Sequence, residues 1–217
     1  MRGRSHTGIY KLISAYGELP LSGIELSNPK KSTPDTVLAL ILNAMLSSSR
    51  ISHMLASKTV DLVIKAGYHK IDVRKKSTWE ERTEVLTEGS DRSGREKAAT
   101  MMEDLAQLIE DKYEGDLNTI LRITSEDPVK IRAELEHIKG LGDVGINIFF
   151  DTAQHIWPCM ASFVDPRSLR TAEGIGFGDD VQSLWQAVLK DPERMCKLAV
   201  ALTKLRLDAK ENEFKES

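Results

Sequence analysis

The stretch Leu135-Glu136-His137-Ile138-Lys139-Gly140-Leu141-Gly142-Asp143-Val144-Gly145-Ile146 decides how this chain is read. Residues 129–157 around it read as helix, tight turn, helix. Leu135 and Ile138 are apolar at the end of the first helix, and Ile146, Ile148, Phe149 and Phe150 open the second. Two glycines around one apolar residue permit a turn that packs two helices closely. They also leave backbone N–H groups bare at a helix N-terminus, where a phosphate can bind without side-chain charge. An ordinary interhelical turn accounts for the same glycines.

Working outward, nearly the whole chain reads as helix. β-Branched residues are scattered and alternation is never sustained, so strands are not expected. Residues 7–16 form a short amphipathic helix with Ile9, Leu12, Ile13 and Tyr16 on one side, broken by Gly17 and Pro20. Ser32-Thr33-Pro34-Asp35 is a helix-start cluster. Val37 to Leu46 is apolar almost all round, which predicts a helix buried at the centre. Further helices are expected at about 52–66, 79–88 and 95–113. Lys70, Arg74, Lys75 and Lys76 form a basic stretch, read as a solvated face or as phosphate contacts, and Gly89 to Gly94 is a polar loop. Two short helices follow, separated by Ser125 and Asp127-Pro128. Pro158 is expected to stop the second hairpin helix. Asp165-Pro166, Gly174, Gly176 and Gly178 read as loop residues before helices at about 179–190 and 192–207. The charged tail from Asp208 is expected to fray. Most methionines, with Trp157 and Trp185, read as core.

The segment Ile138-Lys139-Gly140-Leu141-Gly142 resembles the helix-hairpin-helix of DNA-repair glycosylases. Phe163-Val164-Asp165-Pro166 is similar to the Val-Asp-Thr element, with its catalytic aspartate, of the endonuclease III-like superfamily. Ala44-Met45-Leu46-Ser47-Ser48-Ser49-Arg50 resembles that family's Leu-Ser-Ser-Gln-Thr helix end. Tyr113-Glu114-Gly115-Asp116-Leu117 is similar to its Tyr-Gly-Gly-Asp-Ile turn, and Gly89 with Lys97-Ala98 fits its Gly-(Tyr/Phe)-x-x-x-Lys-Ala element loosely. Order and spacing match over roughly residues 35–175. The resemblance implies an all-α, two-lobed helix-hairpin-helix glycosylase fold. One lobe of six helices would span about 35–153, and residues 1–34 with 154–217 would build the other, with DNA and a flipped base in the cleft between them.

The resemblance implies a DNA N-glycosylase, with Asp165 as the catalytic carboxylate and duplex DNA carrying a damaged or mismatched base as partner. A fixed carboxylate stabilises the oxocarbenium-like charge of base excision and can orient or deprotonate a water. Asp165 also reads as a helix N-cap before Leu169. The DNA contacts implied are Lys139, Gly140, Leu141, Gly142 and Val144 at the hairpin, Ser47, Ser48, Ser49 and Arg50 at the helix end, and Arg167 beside Asp165. For Ser47–Arg50 a plain helix C-terminus is the competing reading. Family members often hold a monovalent cation, Na+ or K+, on turn carbonyls, here those of Glu136, Ile138 and Leu141. No other cofactor is expected.

The sequence departs from the family pattern in ways that carry chemistry. Val144 stands where the bifunctional members have a lysine, and Asp143 precedes it. Valine cannot attack the sugar to form a Schiff base, so activated water and no abasic-site lyase activity are expected. Ser49 stands where the family has the glutamine that fills the gap left by the extruded base. The cysteines of an iron–sulfur cluster are missing, since only Cys196 lies in the C-terminal region. These losses also fit an inactive relative that binds DNA or a protein partner.

Composition sets the outer bounds. At 217 residues with 41% hydrophobic composition, the chain has material for a real core. The formal charge of −3 excludes a protein that coats nucleic acid by bulk charge, though not a local basic face. It also keeps open a third class, an interaction protein without DNA. Two cysteines cannot make a disulfide framework or a four-thiolate site, which predicts a reducing intracellular setting, nuclear in a eukaryote. The five histidines show no ligand spacing with them, so zinc is not expected. Gly174-x-Gly176-x-Gly178 follows no strand and is not a dinucleotide fingerprint. No apolar run approaches the roughly 20 residues of a membrane span, and nothing apolar follows Met1-Arg2-Gly3-Arg4-Ser5-His6 as in a secretory signal. A monomer is expected.

Overall fold

A computed structural model describes residues 2–24, 26–49, 51–88 and 92–215, with the side chains of 2–6, 88, 92 and 93 left aside. Arg50 lies outside the described residues. Among those described, all regular structure is helical and no strand occurs, so the protein is all-α. Its contacts form two compact units. One joins Met1–Ser22 to Phe150–Ser217, and the other is Gly23–Phe149. The sequence reading put these divisions near 34/35 and 153/154.

The continuous unit begins with α2 (Pro34–Ser47), which follows α1 (Arg2–Tyr16) in the chain. Thr33 caps it by accepting from the Thr36 N–H, and Pro34 sits in its first turn. Residues from Thr36 to Leu46 are buried apart from Asn43, which is what a helix apolar all round requires. Then come α3 (His53–Lys65), capped by Ser52, and α4 (Ile71–Lys76). After it comes α5 (Trp79–Val85), opened by a reciprocal capping box of Thr78 and Glu81. The long α6 (Arg92–Tyr113), α7 (Thr119–Thr124) and α8 (Pro128–Leu135) follow. Asp127 caps α8 by accepting from the Val129 and Lys130 N–H groups.

The other unit contains α1 (Arg2–Tyr16), α10 (Pro166–Gly174), α11 (Val181–Ala187) and α12 (Pro192–Leu207). Ile9 and Leu12 of α1 join Ile175, Leu184, Leu198, Leu202 and Leu205 in one buried apolar cluster. Each such side chain contributes roughly 1.5–3 kcal/mol on burial. The helix α9 (Asp143–Ala153) runs through the division at Phe149/Phe150.

Several expectations are corrected. The basic stretch contains α4, and Arg74 within it is 0% exposed, so it is neither solvated nor a surface phosphate contact. The 79–88 helix is α5 followed by a single 3-10 turn at Leu86–Glu88. The second hairpin helix ends at Ala153, before Pro158. The Gln154 side chain ties this end to the next segment: its Nε2 donates to the Phe163 carbonyl at 3.0 Å and its Oε1 accepts from the Phe163 N–H at 3.2 Å. Turns follow to Ile156, and Trp157, held before Pro158, has non-helical backbone at φ −120° and ψ 78°. Pro166 and Gly174, read as loop residues, are the first and last residues of α10, and Asp165 caps that helix as its N-cap reading expected. Met54 is exposed rather than core, while Trp157 is fully buried and Trp185 half-buried. The described tail does not fray: Phe214 packs edge-on against Tyr16 at 5.9 Å, and the Tyr16 hydroxyl donates to Glu213 at 3.2 Å.

Candidate functional site

At the hairpin, Leu141 N–H donates to the Ile138 carbonyl at 3.0 Å, and Ile146 N–H to the Gly142 carbonyl at 2.9 Å, which starts α9. The side chains of Ile138 and Leu141 are buried, so only their backbone can meet a ligand. Gly140 has φ +84°, and a Cβ there would stand 2.3 Å from Met101 Sδ. The fold itself therefore demands glycine at 140. Gly142 differs: a Cβ would meet nothing within 4 Å and its φ is not positive. Neither packing nor conformation within the chain explains that glycine, which leaves the space outside the turn open to close approach.

The N–H groups of Gly142, Asp143, Val144 and Gly145 find no acceptor among the described residues. They are the unpaired donors of a helix start, and α9 directs its positive end there. Asp143 and Val144 are exposed at the same turn. Lys139 is exposed too and pairs with Asp104 of α6 at 3.2 Å. Of the three carbonyls implied for a cation, that of Ile138 accepts from Leu141, while those of Glu136 and Leu141 accept no hydrogen bond among the described residues. The donor set suits a hard monovalent ion.

The end of α2 adjoins this helix start. A Cβ on Gly145 would lie 2.7 Å from Leu141 Cδ1 and 3.1 Å from Ser48 Oγ. Ser48 Oγ donates to the Met45 carbonyl, Ser49 Oγ to the Leu46 carbonyl and Ser47 Oγ to Asn43. The three hydroxyls thus turn back on their own helix, and two of them, those of Ser48 and Ser49, close its C-terminal carbonyls. Ser47 and Ser49 are exposed and Ser48 is half-buried.

In the other unit Asp165 caps α10. Its Oδ1 accepts from the Arg167 backbone N–H at 2.7 Å and from Arg167 Nε at 3.0 Å, and its Oδ2 accepts from Arg167 Nη2 at 3.1 Å. The carboxylate is 2% exposed and the Arg167 side chain 38%. Burial alone would raise the acid, but the hydrogen bonds and charge of Arg167 outweigh it and hold Asp165 below the ordinary aspartate value. Asp165 is thus ionised at neutral pH, with both oxygens engaged.

Sequence reasoning missed its neighbour, Asp151 of α9. The Asp165 N–H donates to Asp151 Oδ1 at 2.9 Å. Burial pushes Asp151 well above the ordinary range, and the negative charge of Asp165 adds to this. Two acids in one environment are driven apart, one raised and one lowered. The available signal was an acid in the apolar run after Phe149-Phe150. Arg206 of α12 feels both acids, and burial lowers its pKa. Cys196 is buried and burial pushes its thiol up, so it is no nucleophile.

A depression lined by Pro34, Leu38, Ile71, Ile109 and Leu117 includes none of the site residues named above. No group of three or more His, Cys, Asp or Glu side chains converges among the described residues. Among the described residues no helix is long and apolar enough to cross a membrane. No family model, curated protein or solved structure matches the chain.

Proposed function

We propose that this chain binds duplex DNA at the Lys139–Gly145 turn and the adjoining end of α2. We propose further that it acts as a monofunctional DNA glycosylase of the helix-hairpin-helix kind. The observation that carries the reading is Gly142, a glycine the fold does not require, set among four unpaired N–H groups beside Ser48. Such a turn can take one backbone phosphate without a lysine. A monovalent cation on the Glu136, Ile138 and Leu141 carbonyls would add positive charge there.

Excision would fall to Asp165. An extruded nucleotide develops positive charge at its sugar, and an ionised carboxylate stabilises it and orients water onto C1′. For this, Arg167 must release one oxygen of Asp165. Its half-exposed position makes that a side-chain rotation rather than a rearrangement of the core. Val144 supplies no amine, so the product is an abasic site in an unbroken strand.

A second reading, DNA binding without excision, is favoured by the same Arg167 clamp, because a guanidinium on both oxygens opposes a second cation. One experiment separates the two. Labelled duplexes carrying uracil, a G·T mismatch, an alkylated purine or an oxidised base are incubated with protein and run with and without hot alkali. Alkali-dependent cleavage lost in Asp165→Asn supports the glycosylase. Binding without cleavage, weakened at least tenfold by Gly142→Val at unchanged melting temperature, supports the binder. Absence of DNA binding at low salt rejects both.

A further inference from the structure

The helices α4, α5 and α6 bring together a group of charges that the proposed DNA surface does not use. Arg74 of α4 is 0% exposed, and its Nε, Nη1 and Nη2 have no hydrogen-bond partner among the described residues. Arg82 of α5 is 4% exposed. Its Nη1 donates to the Ser77 carbonyl at 2.7 Å, to Ser77 Oγ at 3.1 Å and to the Arg74 carbonyl at 3.4 Å, while its Nε is buried and unpartnered. The carboxylate of Glu103 on α6 meets Arg82 Nη2 at 3.0 Å from a side chain that is 62% exposed. Glu110, also on α6, is committed to Lys75 at 3.3 Å.

The inventory does not close. A guanidinium carries five N–H donors and no acceptor, so all five of Arg74 and the Nε–H of Arg82 point at nothing. Burial, and then the charge of Arg82, pulls Arg74 down to about 9, which still leaves it protonated at neutral pH. Buried charges are normally paired, because a low-dielectric interior does not hold a bare ion.

We infer that Arg74 and Arg82 form a buried site for a small tetrahedral oxyanion of the phosphate or sulfate class, between α4, α5 and α6. Such an anion presents several oxygens to the guanidinium fork, and bidentate contact with Arg is the strong geometry for this group. Chloride has a single centre and cannot satisfy the fork. A DNA phosphodiester is a poor occupant, because Arg74 is closed off from the surface a duplex could touch. The site is independent of the DNA-binding proposal, and its bound anion would act as a fixed part of this unit's core.

The test uses the full chain. Protein equilibrated with inorganic phosphate is desalted into chloride buffer and denatured in acid, and the released phosphate is measured. In parallel, melting is followed in chloride, phosphate and sulfate at matched ionic strength. The expected result is a phosphate- or sulfate-dependent rise in melting temperature of about 5 °C or more. It is absent in Arg74→Met, reduced in Arg82→Met and retained in Lys139→Ala. Phosphate released from wild type and not from Arg74→Met supports the site by a second route. If wild type melts at one temperature in all three salts and releases no phosphate, the proposal is overturned. A phosphate-dependent rise that persists in Arg74→Met and disappears in Lys139→Ala also overturns it, placing the anion at the hairpin.

Discussion

Two clusters of buried charge, one in each unit, are built on opposite terms. Around Asp165 the chain answers its own charges: Arg167 covers both carboxylate oxygens, and Asp151 takes the Asp165 N–H while burial pushes its own pKa up. Around Arg74 the chain supplies two cations and one exposed carboxylate, which reaches only Arg82. The first cluster pairs its acids, leaves one buried donor, Arg206 Nε, without a partner, and fixes the start of α10. In the second a whole guanidinium, that of Arg74, lacks an acceptor. Burial of a charge, or one donor left over, is therefore not in itself the mark of a ligand site; what marks one is an entire charged group left without a partner.

The comparison breaks most visibly at the first cluster. Asp165→Ala removes the cap of α10 and the charge-assisted bonds to Arg167, and is expected to cost about 3 kcal/mol. In urea denaturation, the double-mutant cycle with Arg167→Ala should show coupling of about 1 kcal/mol or more, as for residues in direct contact. Simple additivity would mean that the pair contributes nothing and that the cluster is not self-compensating.

The two acids can be told apart by pH. Asp165 is lowered in the folded state, so its stabilisation is present above the ordinary aspartate value near 4 and is lost as pH falls through its folded pKa. Asp151 is raised, so its contribution is fully present below about pH 4 and is lost as pH rises toward its folded pKa. Against wild type, Asp165→Asn should therefore lose most at neutral pH and progressively less as pH falls below about 4. Asp151→Asn should gain steadily from pH 4 upward. Urea melts from pH 3 to 8 check both, and parallel slopes would show that the pair does not divide its charge this way.

At the second cluster the expected effect in chloride is smaller and of opposite sign. Arg74→Met keeps the packing of the stem and removes a cation without a partner, so stability should hold or rise by about 1 kcal/mol. A loss of about 3 kcal/mol in the same melts would mean that Arg74 is already paired in chloride, and the contrast between the clusters would disappear.

Much of the helical layout was legible in the sequence because local rules coincide there. Thr33-Pro34-Asp35 caps and opens α2, Asp127-Pro128 opens α8, and the apolar run after Val37 is buried as its pattern requires. What was not legible depends on packing between elements. Arg74 sits among Lys70, Lys75 and Lys76, and only the docking of the short α4 turns that one position inward. The helix ends at Ala153, a few residues short of Trp157-Pro158, and the Gln154 side chain that ties this end to a backbone nine residues on was not legible in the sequence. At the candidate site the glycine turn and Asp165 were legible as motifs. The grip of Arg167 and the buried partner Asp151 were not, since both depend on the folding of α9 and α10.

The smallest effect sets the baseline against which both clusters are judged. Lys139 and Asp104 form an ion pair at 3.2 Å in which the lysine side chain is 76% exposed. Water screens such a pair, so Lys139→Ala should change stability by no more than about 0.5 kcal/mol. Its consequence lies outside the fold. If Lys139 leaves Asp104 to meet a phosphate, its loss releases roughly one counterion fewer, and the slope of log affinity against log salt should become shallower by about 0.9. Anisotropy titrations of one labelled duplex at several salt concentrations measure that slope. An unchanged slope with unchanged affinity would leave Lys139 a surface charge, and the Gly142 turn would then have to hold its phosphate by backbone N–H groups alone.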